Sequence, residues 1–285
     1  SDVVSFTGDA FGTSGIGINC NNCVMESLRG DMTFTATSTT ADQEIVWSTN
    51  FNHPNKLAGN WVFEDFTTFF GQMSIVSAGQ MAFDRGVKFH QTSSISATLL
   101  ELEPRLEVAN SGSLAVNAGT PCLVSGTALV ESGCSADFTG TVTATDDYVC
   151  TVDGTLTWDM GFTGDGDSDL TMNGSGGYAS SGSVTSVRAL TLGPAATITL
   201  PQQGVLFETS ADQTYNGNIQ LNPDGTGDYN FDTDPAGPTI AVCGTISQLS
   251  GPAGVDIRAH NIILGTGVVH SHTGTTTLSD NAGMA

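Results

Sequence analysis

Thr141-Val-Thr-Ala-Thr-Asp-Asp147, Thr155-Leu-Thr-Trp-Asp-Met-Gly161, Asp169-Leu-Thr-Met-Asn-Gly-Ser175, Ser183-Val-Thr-Ser-Val-Arg-Ala189 and Thr197-Ile-Thr-Leu-Pro-Gln-Gln203 share one plan. Each opens on a small or polar residue, alternates apolar with polar side chains, and closes on a turn-tolerant residue. Ser113-Leu-Ala-Val-Asn-Ala-Gly119 and Thr127-Ala-Leu-Val-Glu-Ser-Gly133 extend the pattern towards the N-terminus. Of the thirteen positions spaced by seven from Gly112 to Ala196, eight are glycine. A seven-residue step holds roughly five extended residues and a two-residue turn. Repetition at a fixed short period signals stacked β units.

The reading is therefore all-β, with short Gly-punctuated strands in a 7/14-residue repeat. Two arrangements fit: a stacked β-solenoid with two faces and fourteen-residue coils, or an antiparallel β-sandwich or meander. In the solenoid register Leu114, Leu129, Val142, Leu156, Leu170, Val184 and Ile198 point together into one side of the core. Similar signatures recur at irregular spacing, as in Gly30-Asp-Met-Thr-Phe34, Gly59-Asn-Trp-Val-Phe63 and Gly79-Gln-Met-Ala-Phe83. One short helix is placed near Glu64 to Gln72. Texture divides the chain into an aromatic-rich β region (1–110), the repeat β region (111–203) and a C-terminal β region (204–285), expected to form one continuous unit. Ten of the fourteen Phe precede residue 90, and loops lengthen after Gln203 at Asn222-Pro-Asp-Gly225 and Asp234-Pro-Ala-Gly-Pro238.

The 285 residues carry 29 acids against seven Lys plus Arg, a formal net charge of −22. Such a surface repels phosphate backbones and anionic bilayers, which excludes nucleic acid as a partner. No apolar run reaches the length of a membrane-spanning helix. The chain opens at Ser1 without Met or a charged-then-apolar leader, which reads as a mature chain whose signal was removed. The six cysteines, Cys20, Cys23, Cys122, Cys134, Cys150 and Cys243, are an even number and read as disulfide candidates in an oxidising compartment. Cys122 and Cys150 are too far apart in register to pair with each other, whereas Cys122 with Cys134 closes a short loop. Asn173-Gly-Ser175 is a glycosylation candidate.

Asp165-Gly-Asp167-Ser-Asp169 places three carboxylates at alternate positions of a turn, oxygen-rich chemistry suited to calcium. It resembles the opening of an EF-hand loop, yet Leu170 stands where that loop requires Gly and Gly176 where it requires the bidentate Glu. Asp224 and Asp228, with Asp232 and Asp234, form a second acidic group that could hold calcium. His270 and His272 share a strand face, with His260 near, but lack the third ligand at fixed spacing that zinc or copper needs. Thr141, Thr143, Thr155, Thr157, Thr171, Thr185, Thr197 and Thr199 would stack in a fourteen-residue coil. That array resembles the ice-contacting faces of β-solenoid antifreeze proteins, interrupted by Asp169 and Ser183, and the resemblance implies an ice-binding Thr-x-Thr face.

No Gly-x-Ser-x-Gly elbow, no His-Glu-x-x-His and no basic groove for an acidic sugar is present, so the chain is not read as an enzyme. A carboxylate pair for a glycan-active enzyme has nothing to select it. The expectation is a secreted, extracellular or cell-surface structural protein that self-assembles with copies of itself into a layer, sheath or filament by strand pairing. Lys, the usual blocker of strand edges, is almost absent, and the terminal segments Ser1 to Phe11 and Thr275 to Ala285 are candidates for exchange between copies. The alternative is an adhesin, phage-fibre or carbohydrate-binding surface module, with glycans as partners.

Overall fold

In a computed structural model the protein is described over residues 79–280, apart from 118, 202–203, 223–227, 234–236, 250–252, 266–269 and 272–274, and over strand segments before residue 79. It forms two compact units, Ser1–Gly140 and Thr141–Ala285. Every described strand pairing is parallel, and no described residue is helical. The stretch assigned to a helix instead contains the strand Phe66–Phe69. It pairs on both sides with parallel strands, and Thr67, Thr68 and Phe69 are all buried there, so ladder pairing overrides its weak helical signal. No described helix is long and apolar enough to cross a membrane.

Parallel strands with like residues in register make each unit a β-solenoid, and its coil has three sides. In the second unit side one runs through Val142, Phe162–Thr163, Val184–Val187, Leu206–Thr209, Asp228–Thr233, Gly254–Ala259 and Thr276–Asp280. Side two runs through Tyr148, Leu170–Asn173, Leu190–Leu192, Gln213–Tyr215, Thr239–Val242 and Asn261–Leu264. Side three runs through Thr155–Trp158, Gly177–Ser180, Thr197–Leu200, Asn218–Leu221, Thr245–Gln248 and His270–Ser271. Seven residues make one side, so a coil takes about 21. Register partners on side three, Leu156, Tyr178, Ile198 and Ile219, are 22, 20 and 21 residues apart. The step to Ile246 is 27, where the two Pro-Gly loops lengthen the coil.

The fourteen-residue coil is thereby corrected. Val142 and Val184 lie on side one, Leu170 on side two, and Leu156 and Ile198 on side three, all buried. A step of fourteen advances two sides out of three, so the alternate segments that look alike never stack on one another. Leu129 departs in register as well: Ala128 and Val130 are buried and Leu129 faces out, half-buried.

In the first unit the same order holds, with steps of 19 to 22 residues from Trp61 onward. Side one there aligns Met32 with Trp61 and Met81, and Phe34 with Phe63 and Phe83. The irregularly spaced Gly-x-Met/Trp-x-Phe signatures are thus one column. Phe63 and Phe83 stack at 4.7 Å and 11°, and Phe69 stacks on Phe89 at 5.4 Å. Cys122–Val130 bends from side one to side two at Gly126, whose φ of +72° glycine adopts without strain. A Cβ there would collide with the Pro104 carbonyl oxygen of the preceding coil. Ladder pairing runs across residue 110 in this unit and across residue 203 in the other.

Candidate functional site: exposed core columns and acidic corners

Carboxylates gather where the ladder turns corners. A backbone N–H at a corner points along the solenoid axis without a strand carbonyl in line, and a short acidic side chain from the preceding coil can accept it. Asp147 Oδ1 accepts from the Asp169 N–H at 2.9 Å, and Asp212 Oδ1 from the Thr239 N–H at 2.7 Å. Asp153 Oδ1 accepts from both the N–H and the hydroxyl of Ser175 at 2.8 Å. Those bonds favour the ionised form and hold the Asp153 carboxyl below its ordinary range. Sequence reading missed this role, although Asp147 occupies the same seven-residue phase as the corner glycines.

The residues put forward for calcium divide accordingly. Asp165 Oδ1 accepts from the N–H groups of Asp167 (3.0 Å) and Ser168 (2.9 Å), closing its own turn and lowering its pKa. Asp169 is held by Arg188 through two bonds of 2.7 and 2.6 Å. Asp167 and Asp228 are exposed, and Asp224 and Asp234 lie outside the described residues. Among the described residues, no group of three or more His, Cys, Asp or Glu is arranged to hold a metal ion. His260 is exposed, His272 lies outside the described residues, and for His270 only the strand position is described.

Cys122, Cys134, Cys150 and Cys243 are free thiols, which corrects their reading as disulfides; Cys20 and Cys23 lie outside the described residues. The reason is register. Cys122 pairs with Leu100 and Cys150 with Met172, each facing the core as an ordinary apolar residue of its column. Burial pushes both thiols far above their usual pKa. The sequon is folded into the coil too: Asn173 is half-buried, its carbonyl accepts the Tyr178 hydroxyl at 2.6 Å, and Ser175 is engaged by Asp153.

The Thr array disperses over three sides for the same reason as the apolar set. Other columns replace it: Thr143, Thr163 and Thr185 on side one, and Thr171, Thr191 and Thr214 on side two. Outward positions of sides two and three carry no charge in the second unit up to Ala241 and Ser247 respectively. Side three also links its polar residues laterally, with Asn218 Nδ2 donating to Thr197 Oγ1 and Thr245 Oγ1 to Asn218 Oδ1.

The coil that holds Asn261–Leu264 and Thr276–Asp280 differs from the described coils before it in the second unit. Leu264 is in register with Val242, and Leu278 with Ile257. Val242 and Ile257 are 2% and 0% exposed, whereas Leu264 and Leu278 are 44% and 48% exposed. Ile263, on the outer face, is 53% exposed. These two core positions are thus exposed, and among the described residues their strands bear a ladder on one side. No family model, curated protein or solved structure matches the chain.

Proposed function

We propose that the protein is a structural component of an extracellular layer, sheath or filament, secreted and built by end-to-end pairing of copies of itself. The observation that carries this reading is the exposure of Leu264 and Leu278 at columns whose preceding members Val242 and Ile257 are buried. A parallel sheet edge presents a row of N–H and C=O groups ready to take another strand, and apolar residues beside it gain by being covered. Lys is the usual guard of such an edge, and none lies in the second unit. The neutral outward sides add to the argument, because copies can approach along them without pressing carboxylates together. A charge of −22 on each copy still opposes association, so salt or calcium favours it by screening the repulsion. Catalysis has no part in this reading.

Negative-stain microscopy and sedimentation of the untreated protein test it. Ordered fibres or sheets that dissociate at low ionic strength are expected, with a calcium chelator added in a parallel arm. Dispersed single particles at every salt and protein concentration would remove the reading.

The uncharged Thr, Asn and Gln columns support a second reading, a module that lies flat on a regular polar surface such as an insoluble glycan or ice. Co-sedimentation with insoluble glycans and ice-growth inhibition measure it directly.

A further inference from the structure

We infer, resting on the assembly reading above, that side three of the second unit is a lateral contact between copies. Two such faces pack across a two-fold axis that lies between them, parallel to the strand Thr197–Leu200. Copies joined this way stand side by side with their solenoid axes opposed, so the contact widens end-to-end filaments into a layer.

Charge selects the face. Side one carries Glu208, Asp232 and Asp256 at outward positions, and Asp147, Asp169 and Asp212 border side two. From Thr155 to Ser247 the outward positions of side three are uncharged on five successive coils. Their polar groups also bond to one another: besides the two bonds of Asn218, Thr199 Oγ1 donates to Gln220 Oε1 at 3.3 Å. Covering the face therefore leaves few donors unpaired.

Shape selects a second copy as the partner. The axis sets Thr197 and Thr199 against their own equivalents, and each coil before them against the coil equally far behind. Gly177 and Ala179 then face Asn218 and Gln220, the smallest row against the largest. Nothing in the chain itself demands Gly177: its φ lies outside the left-handed region, and a Cβ there would meet nothing within 4 Å. Glycine weakens a strand interior and often marks the close approach of another surface, here the second copy's Asn218. The same axis brings Met160 level with Leu249, both at the corner where side three passes to side one, two coils either side of Thr197. They are 65% and 57% exposed, and covering one with the other removes apolar surface from water. Asp159, next to Met160, meets that same uncharged corner rather than a carboxylate. The face is about 20 Å long, so a single contact is weak and gains strength by repetition along a filament.

Negative-stain microscopy of folded variants tests this, with circular dichroism and a thermal melt as the check on folding. Gly177→Thr fills the open space, and Leu249→Glu sets a carboxylate opposite Asp159. Wild-type protein is expected to form layers or paired filaments, and each variant single filaments under the same conditions. Adding Asn218→Gly to Gly177→Thr is expected to restore pairing, because room lost on one face is returned on the other. A short bis-maleimide should join copies through Thr199→Cys in a Cys243→Ser background, with the Cys243→Ser protein as blank. It should not join them through Ala179→Cys, whose equivalents lie about 10 Å apart along the axis. Wild-type filaments that stay single, or either folded single variant pairing as wild type does, overturn the inference and leave the end-to-end reading standing. Cross-linked pairs that never lengthen uphold the inference and remove the end-to-end reading. Wild-type protein that stays dispersed and uncross-linked removes both, and loss of glycan or ice binding in Thr199→Glu would then assign the face to that surface. Should a variant fail to fold, the cross-linking decides: equal joining through Thr199→Cys and Ala179→Cys overturns the inference.

Discussion

Replacing Phe63 and Phe83 by Ala, singly and together, tests the three-sided stacking most directly. Both rings are fully buried, 4.7 Å apart and within 11° of parallel. Each also meets Phe69 edge-on, at 6.1 and 6.2 Å. Truncating a buried Phe costs about 3–5 kcal/mol through lost transfer energy and the cavity left behind. The stacked pair adds about 0.5–1.5 kcal/mol beyond area, so the double variant should lose less than the sum of the singles by about 1 kcal/mol. Urea unfolding followed by Trp fluorescence measures the cycle, with Trp61, on the same strand as Phe63 and 6.3 Å from its ring, as reporter. Phe138 supplies the control. It lies on side three, three coils beyond the strand Met73–Ser77, or about 14 Å along the axis, and should be additive with Phe63. A Phe63–Phe83 coupling within about 0.3 kcal/mol of zero refutes the register, since that is the behaviour of residues sharing no contact. In coils of fourteen residues the twenty-residue separation of these two would put them out of column, and no coupling would arise.

Three further outcomes follow from packing and charge. Cys243 should react with a thiol reagent in the native protein, whereas Cys122, Cys134 and Cys150 should react only on unfolding; fast native labelling of all four contradicts their burial. Asp153→Ala should destabilise the protein above pH 4 and become neutral in acid. The Asp153 pKa is depressed on folding, so its contribution is present above the unfolded value of about 3.9 and is lost as pH falls through the lower folded value. A wild-type-minus-variant stability difference that grows towards low pH has the wrong sign. Gly126→Ala should cost at least about 1–2 kcal/mol, because a Cβ at φ +72° is strained and also meets the Pro104 carbonyl that accepts the Thr127 N–H at 2.8 Å; a neutral melt would contradict the close approach of the coils there.

How much of this was legible depends on what each signal encodes. The seven-residue spacing encodes the length of one side, because the corner must recur wherever the chain turns; it carries no information on how many sides close a coil. Fourteen and twenty-one are both multiples of seven, and the choice rests on three-dimensional closure around a core of given width. Columns such as Met32, Trp61 and Met81, or Phe34, Phe63 and Phe83, held the missing information. Their spacing of 20 and 29 residues obscured it, since inserted loops change the period while leaving the stack intact. For the four described cysteines the disulfide reading failed for a related reason: an even count says nothing about direction, and inward-facing Cys122 and Cys150 each sit in an apolar column. The extended character of Val4–Asp9 and Thr276–Asp280 was legible, because both lie in segments free of helical periodicity. What sequence left open was which inward-register positions are exposed. Leu264 and Leu278 look like any other inward residue until their register partners Val242 and Ile257 are found buried while these two are exposed. The functional argument therefore rests on a difference between equivalent positions. A solenoid, by repeating itself, makes such a difference measurable within one chain.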